Sequence, residues 1–185
     1  MGNRCFRCAG CRSLPALALA FLLSLVAFGV AGAETWQVFQ PPEKEYRVSM
    51  PGIPKLMSDS SGTGTEVRMY GLESSHYAYV VGVVDMPAPL VGEQRQMVLN
   101  EVRRSLLSEF RAKQKSVKPI MFGAAAGIEF EGRSSGENLK ARLYVRGNKL
   151  YQIYVVIQSG HEMVSAAGAK RFIDSFEILP GNELR

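Results

Sequence analysis

Three thiols at positions 5, 8 and 11 carry the most metal-like spacing in the chain. In a C-x-x-C-x-x-C array one short loop can offer several thiolates to zinc or to an iron–sulfur cluster. Cys5, Cys8 and Cys11 have no fourth ligand nearby, however, and the next histidine is His76. They are followed at once by the apolar run LPALALAFLLSLVAFGV and by Ala31-Gly32-Ala33. A basic start, an apolar stretch and an A-x-A end have the form of a secretory signal peptide cut after Ala33. A protein beginning at Glu34 would retain no cysteine, and neither a metal nor a cofactor is expected. The alternative is an uncleaved anchor over residues 14–33, 20 residues and long enough to span a bilayer. Arg4, Arg7 and Arg12 would then hold its start in the cytoplasm of a bacterial cell. Lipidation is not indicated: Gly2 follows Met1, but Phe6 stands where myristoylation wants Ser or Thr.

Further along, Gly132-Arg133-Ser134-Ser135-Gly136 matches the G-x-S-x-G nucleophile pattern. That chemistry needs a strand, a strained turn lifting the serine, and then a helix. Here strand-like sequence lies on both sides, and His161 precedes Asp174, the reverse of the acid-then-histidine order. The motif therefore reads as a hairpin loop. His76 and His161 are the only histidines, and nothing in the sequence brings them together. No catalytic and no metal-binding residues are assigned.

Two other groups of side chains could meet a partner. Arg103, Arg104, Arg111, Lys113, Lys115 and Lys118 set six positive charges against Glu109, a surface suited to an acidic protein or an anionic membrane. The ordinary role of such a run is a solvated helix face. Tyr77, Tyr79, Tyr151 and Tyr154 lie in strand-like segments and could line a ligand pocket. Tyrosine is also simply favoured in strands. Removing the three leader arginines leaves 19 basic against 17 acidic residues, a balance of +2. A near-neutral domain lacks the concentrated positive field that nucleic acid requires, so none is expected.

These groups are positioned by a chain whose last 152 residues suit one domain, burying about two-thirds of its unfolded surface. Tyr46–Met50 alternates and stops at Pro51-Gly52; Ile53–Ser58 resumes as an edge strand, and Ser58–Gly64 reads as a loop. Thr65–Leu72 and His76–Asp85 are strands, the second apolar on both faces and therefore central. Gly92–Lys113 reads as a helix whose stripe is Val98, Leu99, Val102, Leu106 and Phe110. Val117–Phe122 follows as a strand, with Gly123–Gly127 as a connector. Ile128–Glu131 and Leu139–Val145 form a hairpin, and symmetric pairing sets Glu131 against Lys140 and Glu129 against Arg142. Gly147-Asn148 turns the next hairpin into Leu150–Ile157. Gly160–Phe176 closes as a helix, with Ala166 and Ala169 allowing close approach. The fold class is α+β: an antiparallel sheet of about six strands covered by two main helices, an α/β/α sandwich.

YRVSMPGIPK (46–55), VRGNKLYQIYV (145–155) and AKRFIDSFEIL (169–179) resemble the pattern of PsbP-like and Mog-like domains, including exported bacterial relatives of DcrB type. The likeness spans about residues 44–179 and consists of structural motifs. It implies an antiparallel sheet between helices and carries over no catalytic residue. Members mostly act as binding or assembly modules. The expected organisation is a leader over 1–33, one domain over 34–179 and a tail over 180–185. The expected role is a non-enzymatic interaction or assembly module of the bacterial envelope, periplasmic or secreted, with a protein partner. The alternative is a domain that binds a small molecule or lipid.

Overall fold

The computed structural model describes residues 35–62 and 65–180. The leader, its cleavage point after Ala33 and most of the tail lie outside the described residues.

The chain runs β1 (Gln37–Phe39), β2 (Tyr46–Met50), β3 (Lys55–Gly62), β4 (Thr65–Glu73), β5 (Tyr77–Asp85), α1 (Gly92–Glu109), β6 (Lys113–Phe122), β7 (Ala125–Arg133), β8 (Glu137–Arg146), β9 (Lys149–Gln158), α2 (Glu162–Asp174) and β10 (Glu177–Ile178). Seven strands make one antiparallel sheet in the order β3-β4-β5-β9-β8-β7-β6, one more than expected. Three short strands make a second sheet, β1-β2-β10.

The central strands owe their place to composition. β5 (YAYVVGVVD) and β9 (KLYQIYVVIQ) are apolar on both faces and lie side by side at the middle of the sheet. Successive side chains point to opposite faces, so β5 feeds two cores. Tyr79, Val81 and Val83 join Phe172, Ile173 and Phe176 of α2 with Tyr46, Val48 and Met50 of β2. Val80 and Val84 join Leu99 and Leu106 of α1 with Phe130, Leu139 and Leu143. Burying these side chains, at about 1.5–3 kcal/mol for each large apolar group, is the main force setting both helices against the sheet.

Turn chemistry sets the registers. Gly147 takes φ 59°, and the two-residue Gly147-Asn148 turn pairs Arg146 with Lys149. The hairpin of β7 and β8 closes over Ser134–Gly136, and its ladder sets Glu131 opposite Lys140 and Glu129 opposite Arg142. A charged cluster fastens the residues before β2 to the main sheet. Arg68 on β4 reaches Asp85 at 2.6 Å and Glu45 at 3.2 Å, and Lys149 reaches Glu45 at 2.8 Å.

Four sequence expectations need correction. The polar stretch from Ser58 continues as β3 to Gly62, because pairing with β4 supplies the backbone bonds and an edge strand can carry polar side chains. The expected connector 123–127 shrinks to a two-residue turn, since Ala125 already pairs with Phe122. The helix expected to reach Lys113 stops at Glu109, because Arg111 turns the chain into a left-handed cap. Ala166 is exposed rather than packed. Ala169 is buried in the core as expected, and α2 also approaches closely at Gly168, where a Cβ would lie 2.6 Å from the Tyr79 hydroxyl oxygen and 3.3 Å from the Trp36 ring.

Candidate functional site

α1 ends in a left-handed cap that converts helix directly into edge strand. Arg111 takes φ 48°, its N–H donates to the Ser108 carbonyl at 3.0 Å, and the Ala112 N–H donates to the Leu107 carbonyl at 2.8 Å. This is the Schellman arrangement, which ordinarily places glycine where Arg111 stands. Leu107 and Ala112 both seat on Gly132, where a Cβ would lie 2.5 Å from Leu107 Cδ2 and 3.0 Å from Ala112 Cβ. The apolar contact of the cap is therefore made against β7, and Lys113 emerges at the first position of β6.

β6 is the last strand of the sheet, and its outer edge pairs with no described strand. Its first seven residues, Lys113 to Pro119, are exposed. Lys115 sits at an irregularity in the ladder between Gln114 and Ser116. Arg111, Lys113 and Lys115 make no ion pair with any described residue. Lys118 does: its Nζ lies 2.8 Å from Glu129 Oε1.

Behind this edge, on the face that α2 partly covers, the sheet floor is charged. Arg142 Nε donates to Glu129 Oε2 at 2.5 Å, Arg142 Nη2 to Asp174 Oδ1 at 2.8 Å and Arg142 Nη1 to the Ile173 carbonyl at 3.2 Å. One guanidinium thus ties β7, β8 and α2 together. Burial alone would raise the Glu129 carboxyl, but hydrogen bonds from Lys118 and Arg142 outweigh it and hold the group below the usual carboxylate range. The hydrogen bond from Lys170, aided by Arg142, outweighs burial at Asp174 and lowers it as well. A groove of about 710 Å³ runs between these strands and α2, with Lys115, Lys118, Lys140 and Ala166 along it.

The six basic residues singled out in the sequence are thus distributed over two faces and an edge. Arg103 bonds to Gln114 Oε1 and Arg104 reaches the Asn100 carbonyl at 3.4 Å, both on α1. Arg111 faces a second cleft at the loop end of the sheet, while Lys113, Lys115 and Lys118 follow β6. Only Lys113, Lys115 and Lys118 share the strand edge, and Lys113 belongs to the strand and not to the helix.

The four tyrosines do not converge on one pocket. Tyr79 packs edge-on against Phe172 at 5.1 Å and Tyr151 lies 6.0 Å from Phe176, both in the core under α2. Tyr154 lies on the opposite face beside Phe110, where burial pushes its hydroxyl up to about 12. Tyr77 alone of the four lines the loop-end cleft.

The G-x-S-x-G segment is the turn between β7 and β8, with a strand on each side. Ser134 Oγ accepts from the Glu137 N–H at 3.0 Å and lies 3.3 Å from the Glu137 carbonyl, so the hydroxyl is engaged within its own turn. Sequence reasoning missed the pairing of the histidines. The His76 and His161 rings stack at 3.9 Å, and His76 Nδ1 lies 3.1 Å from Gln158 Oε1. His76 precedes β5 and His161 caps α2; only the antiparallel pairing of β5 with β9 brings them together. Asp174 as a partner of Arg142 was equally hidden, because it depends on where α2 crosses the sheet. Among the described residues no group of three or more potential metal ligands occurs, and no helix is long and apolar enough to cross a membrane.

No protein-family model matches the sequence, and no curated protein does. Solved structures do match. The solution structure of a cyanobacterial PsbP (CyanoP) from Synechocystis sp. aligns with a TM-score of 0.58 at 13% identity, over 84% of this chain and 99% of that one. A crystal structure from Bacteroides thetaiotaomicron aligns at 14% identity over 80% of this chain and 50% of its own, but its TM-score of 0.41 carries no argument. The chain therefore has a PsbP-like fold, as the motif resemblance implied. Identity this low speaks to fold alone.

Proposed function

We propose that the protein is a non-enzymatic interaction or assembly module, exported to the periplasm or beyond, that meets a protein partner at its β6 edge. The observation that carries this reading is the run Arg111, Lys113 and Lys115: three exposed cations without an acid partner among the described residues, one in the cap at the head of β6 and two on an edge with no described neighbour. On the neighbouring interior strand β8, by contrast, Arg142 is matched by Glu129 and Lys140 by Glu131. An unmatched row on an open edge supplies complementarity and steering for an acidic surface. Export rests on the leader-like sequence of residues 1–33, cut after Ala33 or kept as an inner-membrane anchor. The helix–sheet–helix layering, with α2 and the small sheet over one face and α1 over the other, leaves the outer edge of β6 without a described neighbour. An anionic membrane surface is the other acidic partner that the same cations would suit. The absence of enzymatic activity rests on Ser134 being held in its turn and on the PsbP-like fold.

The test is a photo-reactive residue placed at Lys115 in living cells, with a control at Leu56, exposed on β3 at the opposite edge of the sheet. A discrete protein adduct at 115 and none at 56 supports the reading. Adducts only at 56, or none at either position, would overturn it.

A small-molecule reading retains one observation. The loop-end cleft, about 710 Å³, is bounded by Tyr77, His76, Arg111 and Ser135. Mass spectrometry of natively purified protein tests it: a stoichiometric small ligand supports binding, and a bare mass rejects it.

A further inference from the structure

We infer that the β6 edge receives its partner as an added β-strand, an extended acidic segment hydrogen-bonded along residues 113–118. This deepens the reading above and rests on it.

A strand that ends a sheet presents a row of unpaired N–H and C=O groups, and an extended peptide can complete the ladder. β6 is ten residues long and outermost in its sheet. Pro119 has no N–H, so the usable ladder ends before it. The segment available is therefore Lys113 to Lys118.

Lysines, a proline and a ladder irregularity are also the ordinary means by which proteins keep sheet edges from pairing. Here the two roles can be separated by asking which strand is excluded. From Arg111 to Lys118 the sequence RAKQKSVK carries four cations and no acid. A second copy pairing edge to edge would bring two such rows into one ladder with nothing to offset them. The same residues that reject a second copy select a strand bearing Glu or Asp. Lys118 already contacts Glu129, so Arg111, Lys113 and Lys115 remain to meet the incoming acids.

A second observation singles out Arg111. Its φ of 48° places a long side chain where glycine would be held without strain, and the side chain is exposed. Nothing in the cap requires arginine: the cap's bonds are made by backbone groups and its apolar contact by Leu107 and Ala112. A cation kept at a strained, solvent-facing position at the head of the open strand fits a binding role.

The experiment uses the full-length chain and a synthetic ten-residue peptide alternating Glu with Val or Thr. One control peptide carries an N-methyl group on every backbone nitrogen, keeping the acids but removing all the ladder's donors from the peptide; a second replaces Glu by Lys. Binding is measured together with amide hydrogen exchange. The expected result is slowed exchange confined to β6 within 113–118, and binding at least tenfold tighter than for either control. K113E/K115E should lose that binding by tenfold or more. R111G should weaken it severalfold while raising the urea midpoint, a combination that general damage to the fold would not produce. Equal binding of the N-methylated control overturns strand addition while leaving a basic-edge partner intact. No binding, or slowed exchange elsewhere, also overturns it. Persistence of the Lys115 cross-link in cells then shows that only the mode of binding has failed.

Discussion

Replacing Arg142 by methionine removes a side chain that joins β7, β8 and α2, and its cost can be worked from the contacts. Glu129 is 9% exposed at its side chain and Arg142 23%, so this pair is largely withdrawn from water. Breaking a fully buried pair by deleting one partner typically costs about 3–5 kcal/mol, because the remaining charge is left uncompensated. Two features reduce the figure here. Lys118 still reaches Glu129, and water reaches part of the guanidinium. Methionine also keeps much of the aliphatic packing of the arginine stem. Against this stand the lost bonds to Asp174 and the Ile173 carbonyl, which hold the end of α2. The expected loss is about 2–3 kcal/mol by urea denaturation at pH 7, or roughly 5–10 °C in Tm for a domain of this size. The decisive measurement is the double-mutant cycle with E129Q. With the carboxylate already neutral, R142M should cost at least about 1 kcal/mol less, since no buried charge is stranded. If R142M costs under about 0.5 kcal/mol alone, or the same in both backgrounds, the guanidinium does not hold the three elements together as described.

Three further outcomes follow from the same contacts. Glu129 and Asp174 are held below the usual carboxylate range when folded, so the stability they contribute is complete above about pH 4.3 and is lost as pH falls through their lowered folded values. Urea titrations at pH 7 and pH 3 should therefore show the gap between wild type and E129Q narrowing in acid, and a constant gap would contradict the assignment. G127A should cost about 1–3 kcal/mol or more, since its Cβ would collide with the Leu143 carbonyl oxygen and lie 2.7 Å from the Tyr144 ring. G136A, with nothing within 4 Å, should stay within about 0.5 kcal/mol of wild type in the same thermal melts. S134A should cost about 0.5–1.5 kcal/mol through the lost turn bond and leave partner cross-linking at Lys115 unchanged; complete loss of function would revive a hydrolase.

What could be read from the sequence was whatever depends on neighbours along the chain. The alternation of Ile128–Glu131 with Leu139–Val145, and a loop over Arg133–Asn138, were enough to pair Glu129 with Arg142 and Glu131 with Lys140, because strand geometry repeats every two residues. Gly147-Asn148 set the next register for the same reason. The apolar stripe of α1 and the double-sided burial of β5 were legible from periodicity alone. The end of α1 was not, because Arg111 caps it in a conformation that a sequence rule assigns to glycine, held there by Leu107 and Ala112 seated on Gly132 of another strand. The strand order was hidden too, and with it the exposure of β6: that Lys113, Lys115 and Lys118 lie on an open edge depends on which of seven strands comes last. The stacking of His76 on His161 and the reach of Arg142 to Asp174 join residues 85 and 32 positions apart in the chain. Local periodicity specifies faces and turns, but it carries no record of which faces meet. That was decided by the burial of the two cores on either side of β5 and β9.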